Sequence, residues 1–349
     1  MKQRHVITAF GLAFALFAVS TPFAAETVVT VPAWRETAAA PTTGDAADDP
    51  AVWVHPTDPA QSLVIGTNKD GGLMVMGLDG KSVQYLEGGE PNNVDVRSGV
   101  MLGGQPRAIV AASERKANTI ATWVVDEATR TLKALPVENC KPVIEVYGFG
   151  LYKSAKDGRL YGIITSKDGG VEQWELRDNG TGNALTAQLA RAFDLGGQCE
   201  GAVADDANGV LYIGEEGVAV WRVDAEPDAK PVPVAVDYAK PKGKLTADIE
   251  GVALSAAGPG YLVVSAQGSN SFCVYERAKH TFVGEFSIGA ANGVDEVSGT
   301  DGIEVISVNL GAGLEAGLFI AQDDEDDAGN QNFKLVPWSA ITDALSLKP

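Results

Sequence analysis

The sequence is poor in the residues most often used for covalent or zinc chemistry. Three histidines and three cysteines stand among 349 residues. His5 lies in an N-terminal apolar segment, and His55 and His280 fall at unrelated points of the chain. Each reads as a structural or surface residue, so a zinc centre lacks its usual nitrogen and sulfur ligands. Cys140, Cys199 and Cys273 match no zinc spacing, and an odd number leaves at least one thiol unpaired. Nucleophile signatures are missing too. There is no G-x-S-x-G elbow, no cysteine followed at the sixth position by arginine and no R-H-G triplet. "DGKS" at 79–82 lacks the first glycine of a phosphate-binding loop.

Positive charge is also scarce. Lys and Arg number 27 against 46 Asp and Glu, a net charge of −19. That balance argues against nucleic acid and anionic membranes as partners. Long apolar runs are confined to the N-terminus, where Lys2 and Arg4 precede Val6–Val19 and small residues follow through Ala25. This is the pattern of a secretory signal peptide over residues 1–25, with the cleavage point open, and it predicts a secreted or periplasmic protein. Losing it would leave 25 basic and 46 acidic residues. Either solubility or cation binding accounts for such an excess.

Helical periodicity is nearly absent. Short β-rich runs separated by turn residues point instead to an all-β protein. One unit recurs, an apolar strand, a polar turn and an alternating strand. It begins at Leu63, Ala108, Leu160, Leu211, Tyr261 and Leu318, with intervals of 45, 52, 51, 50 and 57 residues. A second element precedes each copy: "DDPAVWV", "NNVDVR", "YGFGLY", "EGAVAD", "EGVALS" and "DGIEVI". Six units of this size predict a six-bladed β-propeller over residues 26–349, one domain, with "TVVTV" near Val28 adding a strand to the final blade. A sandwich does not explain the even period.

In a propeller the first strand of each blade lines a central channel. The residues that lead these strands then form a ring at one mouth: Asp48 or Asp49, Asn93, Tyr147, Glu200, Glu250 and Asp301. The turns after the second strands surround it, offering Lys69, Arg115, Lys167, Glu215, Glu216, Gln267, Gln322 and Asp323. Clustered carboxylates require a counter-charge. Oxygen ligands with few histidines suit a hard cation, Ca²⁺ above all. Lys69, Arg115 and Lys167 suit an anion such as phosphate, unless they simply pair with the acids beside them. With no nucleophile signature, metal-assisted attack of water on phosphorus is the chemistry that remains.

Taken together, "DAADDPAVWVHP", "TNKDGGL", "NNVDVR", "EVYGFGLY", "EGAVADD", "DIEGVAL", "AQGSNSF", "TDGIEV" and "NQNFKLVPW" resemble the calcium-dependent β-propeller phytases from about Gly44 to Trp338. The resemblance implies 3-phytase activity: removal of phosphate from myo-inositol hexakisphosphate (phytate) bound as a calcium complex, with several Ca²⁺ ions at an acidic mouth. It places the catalytic metal on Asp48, Glu200, Glu216, Glu250 and Asp301, with Tyr147 alongside. It places the cleaved phosphate on Lys69, Arg115 and Lys167; Gln267 is a further candidate contact. Structural calcium is implied near Asp49, Asn92, Asp95, Asp295 and the Gln322–Asp323 turn. A second lysine common in the family is here Asp70, which predicts weaker binding of a second phosphate. A monomer is the expectation. A lactonase-like propeller and a non-catalytic calcium-binding propeller are the alternatives; neither explains the three cations.

Overall fold

The computed structural model describes Met1 and residues 27–324 and 330–348. Apart from Met1, the expected leader at 1–25 lies outside the described residues. Six small sheets, each built mainly from consecutive antiparallel strands, make the six blades. The first strands are Ala47–Trp53, Pro91–Leu102, Phe149–Lys153, Cys199–Asp205, Ile249–Ser255 and Ile303–Ile306. Each packs against the first strand of the next blade, and the sixth returns to the first. A cavity of about 320 Å³ runs down the middle, lined by residues of all six first strands. The predicted propeller and channel are both present.

Hydrophobic alternation explains the packing. Second strands such as Leu63–Asn68 and Leu318–Asp323 are buried along their whole length, because both faces meet neighbouring blades. Between blades five and six, Phe272, Phe286 and Phe319 meet with ring centroids 5.0 to 5.3 Å apart. Each is fully buried, which stabilises the seam by roughly 1.5–3 kcal/mol per ring.

The closing strand differs from the sequence expectation. Val29–Pro32 joins blade five, in parallel with Phe282–Gly289. It is Arg35–Glu36 that joins blade six, antiparallel to Asn332–Pro337. The parallel register sets Val31 beside Ile288 in the apolar seam of these two blades. Ala33 and Trp34 then cross over, donating to the carbonyls of Gly289 and Leu335. The N-terminal segment therefore straps two blades together, and Arg35–Glu36, rather than the strand near Val28, supplies the fourth strand of blade six. All three cysteines are free thiols. No helix among the described residues is long and apolar enough to cross a membrane.

Candidate active site and metal centre

Four of the six first strands break register where they reach the mouth. The irregularities fall between Ala47 and Pro50, Pro91 and Val94, Cys199 and Ala202, and Ile249 and Val252. They enclose Asp48 and Asp49, Asn92 and Asn93, Glu200, and Glu250. A bulge frees its residues from the pleat and re-aims their side chains. After Tyr147, Glu200, Glu250 and Asp301 comes a glycine that lets adjacent blades close. A Cβ on Gly201 would lie 2.2 Å from the Glu250 carbonyl oxygen, and one on Gly302 would lie 2.2 Å from Asp49 Oδ1. In that space Gly302 N–H donates to the Asp48 carbonyl (2.9 Å) and Gly251 N–H to that of Asp301 (3.0 Å).

The acids converge. Glu200, Glu216 and Glu250 each present a carboxylate oxygen within 4.8 Å of the others. Burial, with the charges of Asp48 and Glu250, holds the Glu200 carboxyl well above its usual range. Burial and then Glu216 push Glu250 up to about 9. Burial and then Asp48 push Asp301 up to about 8. Burial also raises Glu216. Glu216 Oε1 and Glu250 Oε2 are buried with no hydrogen-bond partner in the protein. An all-oxygen donor set with unsatisfied lone pairs fits a hard divalent cation. Tyr147 closes the side of Glu200; burial and then that carboxylate raise its phenol.

The cations are not set apart from the acids. Lys69 Nζ lies 2.5 Å from Asp45, 3.0 Å from Asp48 and 3.2 Å from Asp301. Burial opposes its charge, yet the carboxylates of Asp48, Asp301 and Asp45 hold its pKa above the usual lysine range. Arg115 donates through Nη2 to the Lys69 carbonyl (3.2 Å), and its buried Nε has no partner. Lys167 Nζ rests 4.5 Å from the Tyr147 ring centroid. Gln267 donates through Nε2 to Asp301 Oδ1 and to the Gly299 carbonyl. The predicted catalytic set thus meets at one mouth.

The residues expected at structural calcium sites are spread further. Asn92 donates through Nδ2 to Asp48 (3.0 Å) and Glu200 (2.7 Å), so its amide belongs to the mouth. Asp49 accepts from Val94 N–H (2.9 Å), and burial raises its pKa. Asp95 accepts from Arg97 (2.7 Å) and from Leu151 N–H (2.8 Å), lower in the channel. Asp295 and Asp323 both face the fully buried ammonium of Lys334, which also pairs with Glu36 at 2.8 Å. Glu215 turns away to take the Trp221 indole N–H (2.7 Å). Asp45 and Lys334 escaped the sequence reading. Asp45 stands three residues before Asp48 in the acidic stretch; for Lys334 the sequence carries no signal.

The family described as Phytase matches residues 5–349. A 3-phytase of Bacillus subtilis (strain 168) is 42% identical over 363 residues, covering 100% of this chain and 94% of that protein. Among solved structures, a calcium-binding protein, regucalcin, from Agrobacterium tumefaciens superposes with a TM-score of 0.54. It covers 88% of this chain and 95% of its own at 11% identity, a likeness of fold alone. Near-complete family coverage, 42% identity to a curated relative and the propeller with its acid-and-cation mouth agree, and the chain belongs to the phytase family.

Proposed function

We propose that this phytase hydrolyses phosphomonoesters of phytate in a calcium-dependent reaction without a covalent enzyme intermediate. The supporting observation is the convergence of Glu200, Glu216 and Glu250, with two carboxylate oxygens unsatisfied, beside Lys69. Asp48, Glu200, Glu216, Glu250 and Asp301 would hold calcium. Bound there, calcium would polarise the phosphoryl group and make water a stronger nucleophile. Lys69, Arg115 and Lys167 bind and orient the phosphoryl oxygens, neutralising charge as the ester bond breaks. Tyr147 positions Glu200 on one side and Lys167 on the other. Gln267 orients Asp301. An acidic protein attracts a polyanion because the metal inverts the local field, which favours entry of phytate as its calcium complex. The N-terminal pattern supports action outside the cytoplasm.

The test is phosphate release from phytate in calcium and in excess chelator, with wild type and Lys69→Ala. Release is expected in calcium only. Lys69→Ala is expected to lower kcat/KM by about 10²–10³, as for other lost donors to developing charge. No release in calcium would overturn the activity, full release in chelator the metal role, and an unchanged kcat/KM the placement of the phosphoryl group.

A further inference from the structure

Asp45 belongs to neither the metal-holding acids nor the phosphate-binding cations proposed above, yet it makes the shortest contact to Lys69. Its Oδ1 lies 2.5 Å from Nζ, while Asp48 and Asp301 lie at 3.0 and 3.2 Å. An ammonium has three N–H donors and no more. Three carboxylates crowd this ammonium: Asp301 accepts its hydrogen bond, and Asp45 and Asp48 stand at ion-pair distance, so a phosphoryl oxygen reaches it only by displacing one of them. One acid must withdraw when substrate binds.

The three acids differ in their freedom to do so. Asp48 and Asp301 have side chains 2% and 15% exposed, and Asp45 is 78% exposed. The backbone carbonyls of Asp48 and Asp301 are tied to Gly302 and Gly251 of neighbouring strands. The Asp301 backbone N–H donates to Gln322 Oε1 (2.8 Å), and its carboxylate is held by Gln267. Asp45 lies on the short loop before the first strand of blade one. Lys69 N–H donates to the carbonyl of Ala46 (2.7 Å), so backbone geometry keeps acid and lysine together. Only the lysine of this pair is buried; the Asp45 carboxylate already stands in water, and Asp48 and Asp301 still balance the ammonium once it swings away.

We infer that Asp45 is a latch on Lys69: its carboxylate holds the place beside the ammonium that the substrate phosphoryl group takes over. In the resting enzyme it keeps Lys69 aimed outward at the mouth and competes with incoming phosphate. It is a positioning residue, it touches no reacting atom, and it sets affinity for phosphate rather than the rate of bond cleavage. This inference rests on the proposed placement of the cleaved phosphate against Lys69.

The test is steady-state kinetics on phytate with saturating calcium, comparing wild type, Asp45→Asn, Lys69→Ala and the double variant. For Asp45→Asn, KM is expected to fall about two- to fivefold, the scale of a weak ion pair, with kcat within about twofold. The inhibition constant of inorganic phosphate should fall in parallel. The calcium concentration for half-maximal rate should not move. In the Lys69→Ala background Asp45→Asn should change KM no further, because the two act through one contact. An unchanged KM and phosphate inhibition would overturn the latch. So would a raised KM with a raised calcium requirement, which would make Asp45 a metal ligand. If Lys69→Ala itself leaves KM and kcat unchanged, the underlying placement fails; if only Asp45→Asn is silent, the latch alone fails. Asp45 is exposed, and an unaltered thermal midpoint for Asp45→Asn will confirm that the fold is kept.

Discussion

The ammonium of Lys167 sits 4.5 Å from the centroid of the Tyr147 ring. Among the described residues no carboxylate lies within salt-bridge distance of it, in contrast to Lys69, although its charge is felt at Glu216. The ring holds the cation by its quadrupole, a weak attraction of about 0.5–2 kcal/mol that leaves the N–H donors free for phosphate. Tyr147 therefore has two separable jobs, one through its ring and one through its hydroxyl.

Those jobs predict different outcomes for two substitutions. Tyr147→Phe keeps the ring and loses the contact to Glu200. It should raise the calcium concentration needed for half-maximal rate and leave KM for phytate within about twofold, since the cation–π contact survives. Tyr147→Leu removes both, so KM should rise as well. Calcium titrations of initial rate on each variant check the division. Equal effects of Phe and Leu would show that the ring does not place Lys167.

The proton load of the acid cluster predicts how the metal-free protein responds to pH. Glu250 is raised from 4.5 to about 9 and Asp301 from 3.8 to about 8, in each case by burial first. A raised carboxyl binds more protons folded than unfolded, so ∂ΔG/∂pH of unfolding is negative across that window. The contribution of these two carboxyls to the stability of the chelated protein is greatest below the ordinary carboxyl pKa. It is lost as pH rises through about 8 to 9. Calcium displaces those protons, so its stabilisation should grow over the same range. Thermal midpoints between pH 5 and 9, with chelator and with calcium, check this. A midpoint in chelator that rises with pH would contradict it.

The sequence made the repeat legible because six leading residues and six turns recur at similar spacing, and a propeller converts that spacing into one ring. Asn93, Tyr147, Glu200, Glu250 and Asp301 followed from position alone, whereas position left Asp48 and Asp49 open and only the family resemblance told them apart. What did not follow are the contacts between blades. Lys69 and Asp301 are 232 residues apart, so their pairing depends on ring closure and leaves no local pattern. The strap failed for the same reason: an alternating strand near Val28 fits any blade edge, and only packing of Val31 at the seam selects blade five. The bulges at Asp48 and Glu200 are equally silent, because one extra residue in a strand looks like ordinary variation in length.

Asp70 gives a prediction about substrate preference. It is exposed, next to Lys69 in the turn closed by Gly71 N–H to the Asn68 carbonyl. A second phosphate of phytate approaching that rim meets a negative charge. Asp70→Lys replaces repulsion with a charge-assisted contact and should lower KM for phytate about tenfold. A substrate with one phosphate, such as p-nitrophenyl phosphate, has nothing to place there, and its KM should stay the same. Parallel kinetics on the two substrates decide the matter; equal shifts would mean that Asp70 acts on the cleaved phosphate instead.

Gly302 tests whether the mouth depends on the close approach of blades six and one. A Cβ there would lie 2.2 Å from Asp49 Oδ1, 2.5 Å from Asp49 Cα and 2.7 Å from the Asp48 carbonyl oxygen. Two of these are backbone atoms that no rotamer change can clear. Gly302→Ala must therefore part the strands that carry Asp301 and Asp48, and such overpacking costs about 1–3 kcal/mol. It should also break the Gly302 N–H bond to Asp48 and pull Lys69 between two diverging carboxylates. The expected result is a lower thermal midpoint together with loss of most activity at temperatures where the protein is still folded. Gly217 is the control: it is exposed, and a Cβ there meets nothing within 4 Å. Gly217→Ala should leave midpoint and kcat unchanged although it adjoins Glu216. If both alanines behave alike, the mouth tolerates separation of its blades, and Gly302 is not what sets the geometry of the acids.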